Sequence, residues 1–154
     1  MEYDLLLKQI DAILEGETDL ICAMANVSAA VYYGVPELNW AGFYRVVDGE
    51  LLLGPFQGKV ACARIKRGRG VCGTALAEGK SQLVPDVHRF PGHIACDSAS
   101  NSEIVVPIFD SCGKIRAVLD VDSPILNRLT EMELALFEAI ADKLRQSPAL
   151  CSEP

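Results

Sequence analysis

Residues 40–54 read WAGFYRVVDGELLLG. Apolar, aromatic and β-branched residues crowd Trp40–Val47, Asp48-Gly49 is a two-residue turn signal, and Glu50–Gly54 returns as a second extended stretch. Two such runs joined by Asp-Gly are the strongest short-range mark of a β-hairpin. An antiparallel sheet therefore lies near the middle of the chain, and the flanking segments must either extend it or cover it.

Upstream, Tyr3–Leu14 places apolar residues at 5, 6, 7, 10, 13 and 14, the spacing of an amphipathic helix. Thr18-Asp19 caps a second, Ala-rich helix that runs to about Tyr33 and is closed by Gly34 and Pro36. Downstream, Val60–Ile65 reads as a third strand, Gly70–Glu78 (GVCGTALAE) as a short helix ended by Gly79, and Ser81–Val84 as a short strand. Residues 85–101 (PDVHRFPGHIACDSASN) form a loop with two Pro, two His and one Cys, and loops of that length in compact domains are usually functional or disordered. Ser102–Phe109 and Lys114–Val121 then pair across the turn DSCG at 110–113. Thr130–Arg145 is a closing helix, with Thr130 as cap and Glu133 at the third helical position, the pattern of a capping box. This order predicts an α+β fold in one domain over 1–154: N-terminal helices in 1–35, a core in 36–146 and a tail in 147–154. The central sheet is antiparallel, with the N-terminal and C-terminal helices packed on one face.

The 154 residues are 50% hydrophobic and carry a formal net charge of −7. That balance excludes non-specific nucleic-acid binding, which rests on phosphate neutralisation by Lys and Arg. The basic run RIKRGR (64–69) is too short to reverse it. Apolar runs such as 104–109 fall far short of the roughly 20 residues of a membrane span. The opening MEYDLLLKQIDAIL lacks the features of a secretory signal, so a cytoplasmic location is expected. There the six cysteines at 22, 62, 72, 96, 112 and 151 are thiols by default.

Cys96 lies in GHIACDSAS, among small residues that let a ligand approach, with His88 and His93 close enough in sequence to promote its thiolate. A long polar loop favours a reactive role for it over a packing one. Cys72 opens a predicted helix, whose N-terminus lowers a thiol pKa. A zinc site is disfavoured, because no C-x2-C pair is present and H-x4-H stands alone. Cys22, Cys112 and Cys151 read as passengers. Asp120 and Asp122, two apart on a strand, share a face, which either meets solvent or lines a polar pocket; Glu103 follows the loop. Trp40 and Tyr44 also share a strand face, as core packing or as a wall for a methyl or thioether group. The pattern G-x-G-x-x-G at 68–73 has no βαβ unit around it and carries little weight as a dinucleotide fingerprint.

Taken together, NWAGFY (39–44), LGPFQGKVAC (53–62), GRGVCGTA (68–75), DVHRFPGHIACDSASNSEIVVPI (86–108) and VLDVDSP (118–124) closely resemble the free methionine-R-sulfoxide reductases, a family built on a GAF domain. The resemblance implies reduction of free L-methionine-R-sulfoxide. It implies Cys96 as catalytic nucleophile, Cys62 as resolving cysteine and Cys72 as an alternative partner, with thioredoxin recycling the disulfide. It further implies that Glu103, Asp120 and Asp122 hold the substrate ammonium and polarise or protonate the sulfoxide oxygen, with Glu103 and Asp122 among the catalytic groups. Trp40 and Tyr44 then wall the substrate methyl, no metal or organic cofactor takes part, and homodimers are common in the family. The competing expectations are a GAF sensor that binds a ligand without turnover and a redox switch acting on a partner. No kinase, cyclase or DNA-binding segment accompanies the domain within the 154 residues, which favours an enzyme.

Overall fold

Strand β1 (Trp40–Val47) is buried on both sides over its first five residues, so both faces of its sheet must be covered. The computed structural model describes residues 2–93 and 99–151. Six strands form one antiparallel sheet. They are β1, β2 (Glu50–Gly58), β3 (Arg64–Ile65), β4 (Gln82–Val84), β5 (Ser102–Phe109) and β6 (Ile115–Ser123), in the order β3-β2-β1-β6-β5-β4.

Period-two alternation sorts the side chains of the three central strands. Ala41, Phe43, Ile104, Val106, Ile108, Ala117, Leu119 and Val121 point to one face and are buried there. Helices α1 (Asp4–Leu14), α2 (Leu20–Gly34) and α4 (Glu131–Gln146) cover that face, as the sequence predicts. Trp40, Tyr44, Val105 and Val118 point to the other face, which carries α3 (Gly70–Glu78) and the loops around it.

Three boundaries differ from expectation. Strand β2 continues past Gly54 to Gly58, because Gly54 and Pro55 form a bulge rather than an end: Gly42 pairs with Phe56 and Tyr44 with Leu53, so two residues oppose Phe43. A bulge tolerates the missing N–H of Pro55 and bends the strand. The predicted third strand shrinks to Arg64–Ile65, and residues 59–63 instead rim the sheet, with Val60 88% exposed. Within the expected tail, Pro148–Cys151 makes a helical turn, α5, which buries Leu150 in the main core. No helix among the described residues is long and apolar enough to cross a membrane.

The capping box of α4 is formed, and it does more than cap. The Glu133 carboxylate accepts from the Thr130 N–H at 2.9 Å, from the Tyr3 hydroxyl at 2.9 Å, and pairs with Arg128 at 3.3 Å. Arg128 also meets Glu37 at 3.0 Å. One buried carboxylate thus ties the chain start, the loop before β1 and the start of α4 together. Burial works to raise its pKa, but hydrogen bonds from Thr130, Tyr3 and Arg128 outweigh it and hold the carboxyl below its usual value. Its contribution to stability is therefore present above the ordinary glutamate pKa of about 4.3 and is lost as the pH falls below it. Glu133→Ala removes the buried carboxylate that Tyr3, Thr130 and the half-buried Arg128 share and is expected to cost about 3 kcal/mol, against about 1 kcal/mol for Thr130→Ala. Urea unfolding at neutral pH checks this, and equal midpoints for the two variants would contradict it.

Candidate active site

Register builds the site before any side chain is considered. Trp40, Asp122 and Glu103 are direct partners across β1, β6 and β5, and Gly42, Asp120 and Val105 are partners in the next row of the same face. Two rows of an antiparallel sheet therefore bring three carboxyls and an indole together on a face that is otherwise apolar. Glu103, Asp120 and Asp122 are all buried. The start of α3 lies over them: Cys72, at its third residue, has its sulfur within 4.8 Å of carboxyl oxygens of both Glu103 and Asp120. Of the two open readings of the Asp120–Asp122 face, the polar pocket is the one realised.

These groups line a narrow cavity of about 40 Å³ together with Tyr44, Ser100 and His93. That is space for about three water-sized groups. One wall is aromatic. The Trp40 and Tyr44 rings stack with centroids 5.9 Å apart, and Phe56 also stacks on Trp40 at 5.0 Å. Gly42 makes this possible, because a Cβ there would lie 2.2 Å from the Phe56 Cβ. The polar ends of the two wall residues are tied to the same neighbouring segment: Trp40 Nε1 donates to the Lys59 carbonyl at 3.1 Å, and the Tyr44 hydroxyl donates to the Cys62 carbonyl at 3.0 Å. Phe56 has no part in the expected site. The Gly-Pro pair before it reads as a strand end, and only the bulge brings its ring back.

Burial dominates the electrostatics of the site. Burial, then the charges of Asp120 and Asp122, push Glu103 well above the usual carboxylate range. Burial also raises Asp120, although hydrogen bonds from Glu103 and Cys72 pull the other way. Burial and the Asp120 charge push the Cys72 thiol well up, so the helix N-terminus does not activate it. Burial followed by the charges of Asp120 and Cys72 likewise raises the Tyr44 phenol. His93 reaches the cavity, but burial and neighbouring His88 lower its pKa, which leaves it uncharged at neutral pH. His88 instead hydrogen-bonds Asn101 at 2.9 Å.

The structure brings Trp40, Tyr44, Cys72, Glu103, Asp120 and Asp122 around one cavity. Cys62 is half-buried beside them and is disulfide-bonded, whereas Cys22, Cys72 and Cys112 are free. Cys96 lies outside the described residues. The glycines of G-x-G-x-x-G have backbone purposes: Gly68 and Gly70 take positive φ, and a Cβ on Gly73 would lie 2.5 Å from the Lys66 carbonyl.

An antiparallel sheet with helices on both faces and a cavity over its middle strands is the plan of a GAF domain, and the GAF domain family model matches residues 9–147. The chain is 51% identical over 140 residues to the free methionine-R-sulfoxide reductase of Escherichia coli, covering 90% of this chain and 84% of that one. The free methionine-R-sulfoxide reductase of Neisseria meningitidis, solved in complex with its substrate, superposes with a TM-score of 0.91 at 41% identity, covering 97% and 90%. The reduced form of fRMsr of Staphylococcus aureus superposes at 0.92 with 47% identity, covering 96% and 95%. The chain belongs to the GAF domain family and, within it, to the free methionine-R-sulfoxide reductases.

A carboxyl that keeps its proton when folded destabilises the fold as the pH rises. Above about pH 4.3 the unfolded chain releases the proton of Glu103 while the folded chain holds it, so stability falls with pH until the folded group ionises. Glu103→Gln removes that slope. Its melting temperature is expected to match wild type near pH 4 and to exceed it progressively towards pH 8. A variant that loses stability relative to wild type as the pH rises would show that Glu103 is ionised in the fold.

Proposed function

We propose that this chain reduces free L-methionine-R-sulfoxide to L-methionine, with Cys96 as nucleophile and Cys62 as resolving thiol. The observation that carries this reading is the buried row Trp40, Asp122, Glu103, in which a protonated carboxyl faces an aromatic wall across a carboxylate-lined cavity. Sulfoxide oxygen leaves sulfur only when protonated, and a carboxyl raised by burial supplies a proton at neutral pH. Relatives named for this activity at 51% and 40% identity support the same substrate.

Each group then has a task. Asp120 and Asp122 hold the substrate ammonium, whose positive charge draws the Asp120 carboxyl back towards its ionised form. Trp40 and Tyr44 wall the methyl group on sulfur. Glu103 gives its proton to the sulfoxide oxygen while the Cys96 thiolate attacks sulfur. Two electrons pass from Cys96 to the substrate, methionine leaves, and the oxygen remains on Cys96 as a sulfenic acid. The Cys62 thiolate attacks that sulfenic acid, the S–S bond forms, the S–O bond breaks, and the oxygen departs as water. The disulfide state of Cys62 beside free Cys22, Cys72 and Cys112 supports its assignment as resolving thiol. Thioredoxin closes the cycle, in the cytoplasm where it is kept reduced.

In a coupled thioredoxin, thioredoxin reductase and NADPH assay, the R epimer of free methionine sulfoxide is expected to sustain NADPH oxidation and the S epimer not to. Cys96→Ser abolishes turnover, and Cys62→Ser gives about one methionine per chain and then stops. Glu103→Gln lowers kcat by about 10² to 10⁴, the usual weight of a positioned acid. No turnover of either epimer by folded, reduced protein would overturn the reading in favour of a ligand-binding domain. Equal steady rates for wild type and Cys62→Ser would remove the resolving role.

A further inference from the structure

The segment that carries Cys62 is charged unlike the rest of the chain. Lys59, Arg64, Lys66, Arg67 and Arg69 fall within eleven consecutive positions, and no acidic residue occurs between Glu50 and Glu78, in a chain of net charge −7. All five are exposed. None has an ion pair or side-chain hydrogen bond among the described residues, although Arg89, Arg116, Arg128 and Lys143 each have an acidic partner. Val60 stands beside them as the most exposed large apolar side chain of the described residues, at 88%. Cys62 lies between Lys59 and Arg64, and its backbone is fixed by the Tyr44 hydroxyl.

We propose that this strip is a docking surface for an acidic dithiol protein that reduces the disulfide of Cys62. The inference rests on the redox cycle proposed above and assigns the place where the reductant binds. A reductant with a negative surface is repelled by a chain of net charge −7 except where five unpaired cations face it, so encounter is focused on the strip that holds the disulfide. Val60, next to Lys59 in the chain and at the lining of the cavity with Arg69, supplies exposed apolar surface of the kind a transient interface uses. Once docked, one thiolate of the reductant attacks the Cys62 sulfur, forming a mixed disulfide and releasing the cysteine bonded to Cys62 as a thiolate. The second thiol of the reductant then attacks the mixed disulfide, and Cys62 leaves as a thiolate. The reductant ends as a disulfide, and the chain gains two electrons and, after protonation, two protons.

The test measures that half-reaction alone. Oxidised protein is mixed with an acidic bacterial thioredoxin or with uncharged dithiothreitol, quenched by alkylation and read by mass. No sulfoxide is present, so the result is independent of whether methionine sulfoxide is turned over. The triple variant Arg64→Glu, Lys66→Glu, Arg67→Glu is expected to lower the second-order rate with thioredoxin by about 10- to 100-fold at low salt. Its rate with dithiothreitol stays at the wild-type value. Raising the salt from about 0.02 to 0.3 M slows the wild type and not the variant, because screening removes the attraction. The variant Arg64→Lys, Lys66→Arg, Arg67→Lys keeps the charges and the wild-type rate. Equal losses with both reductants, in either variant, would mean a damaged disulfide segment and overturn the docking surface. So would an unchanged thioredoxin rate in the charge-reversed variant, whether or not the strip binds an oligonucleotide, and so would wild type that thioredoxin does not reduce.

Discussion

Three carboxyls held out of water on one sheet face set the terms for everything around them. Glu103, Asp120 and Asp122 are buried, and neither Glu103 nor Asp120 is paired with a Lys or Arg among the described residues. Burying unpaired carboxylates costs several kcal/mol each, and a group in that position keeps its proton instead. The fold accepts this penalty because strand pairing over-determines the positions. Asp120 and Asp122 share a strand whose other face is Leu119 and Val121 in the main core, so a slip of one residue would bury the acids under the helices and expose the core. The same register that secures the core therefore secures the acids, and the desolvation that destabilises their charged forms is what pushes the Glu103 carboxyl well above the usual carboxylate range.

The aromatic wall solves a second problem, which is how to fix an irregular segment to a regular sheet. Residues 59–63 belong to no strand. Trp40 and Tyr44 hold two of their carbonyls, at Lys59 and Cys62, through bonds that also satisfy the polar ends of buried rings. The bulge at Gly54-Pro55 and the bare Cα of Gly42 let Phe56 complete the stack. The aromatic pair that lines the cavity is thus also the anchor of the segment that carries the disulfide-bonded Cys62.

Regular periodicity made much of this legible. The hairpin at 40–54, strand Ser102–Phe109, the shared face of Asp120 and Asp122, and the capping box at Thr130 each follow from local spacing, and each is found in the fold. What local spacing misreads are places where a residue acts through distant neighbours. Pro55 looks like a terminator because its missing N–H is counted, whereas the bulge makes that N–H unnecessary. Cys72 looks activated because a helix N-terminus is visible in the sequence, whereas the carboxyls that raise its pKa come from β5 and β6, some 30 to 50 residues away. The helix α3 was legible, but the face it covers was not, because helix position is decided by which sheet face is still uncovered. Leu150 is buried by a turn too short to have a period.

The same electrostatics bear on how two thiols close to one cavity are kept to different tasks. A resolving thiol must attack as a thiolate, and both burial and nearby negative charge remove thiolate character. Cys72 has both against it: it is buried among acids that resist a further negative charge. Cys62 is half-buried on a segment where every charged residue from Lys59 to Arg69 is a cation. Cys72 thus contributes to the cavity as a thiol that hydrogen-bonds Asp120, while the disulfide-bonded Cys62 lies on the segment whose charged residues are all cations.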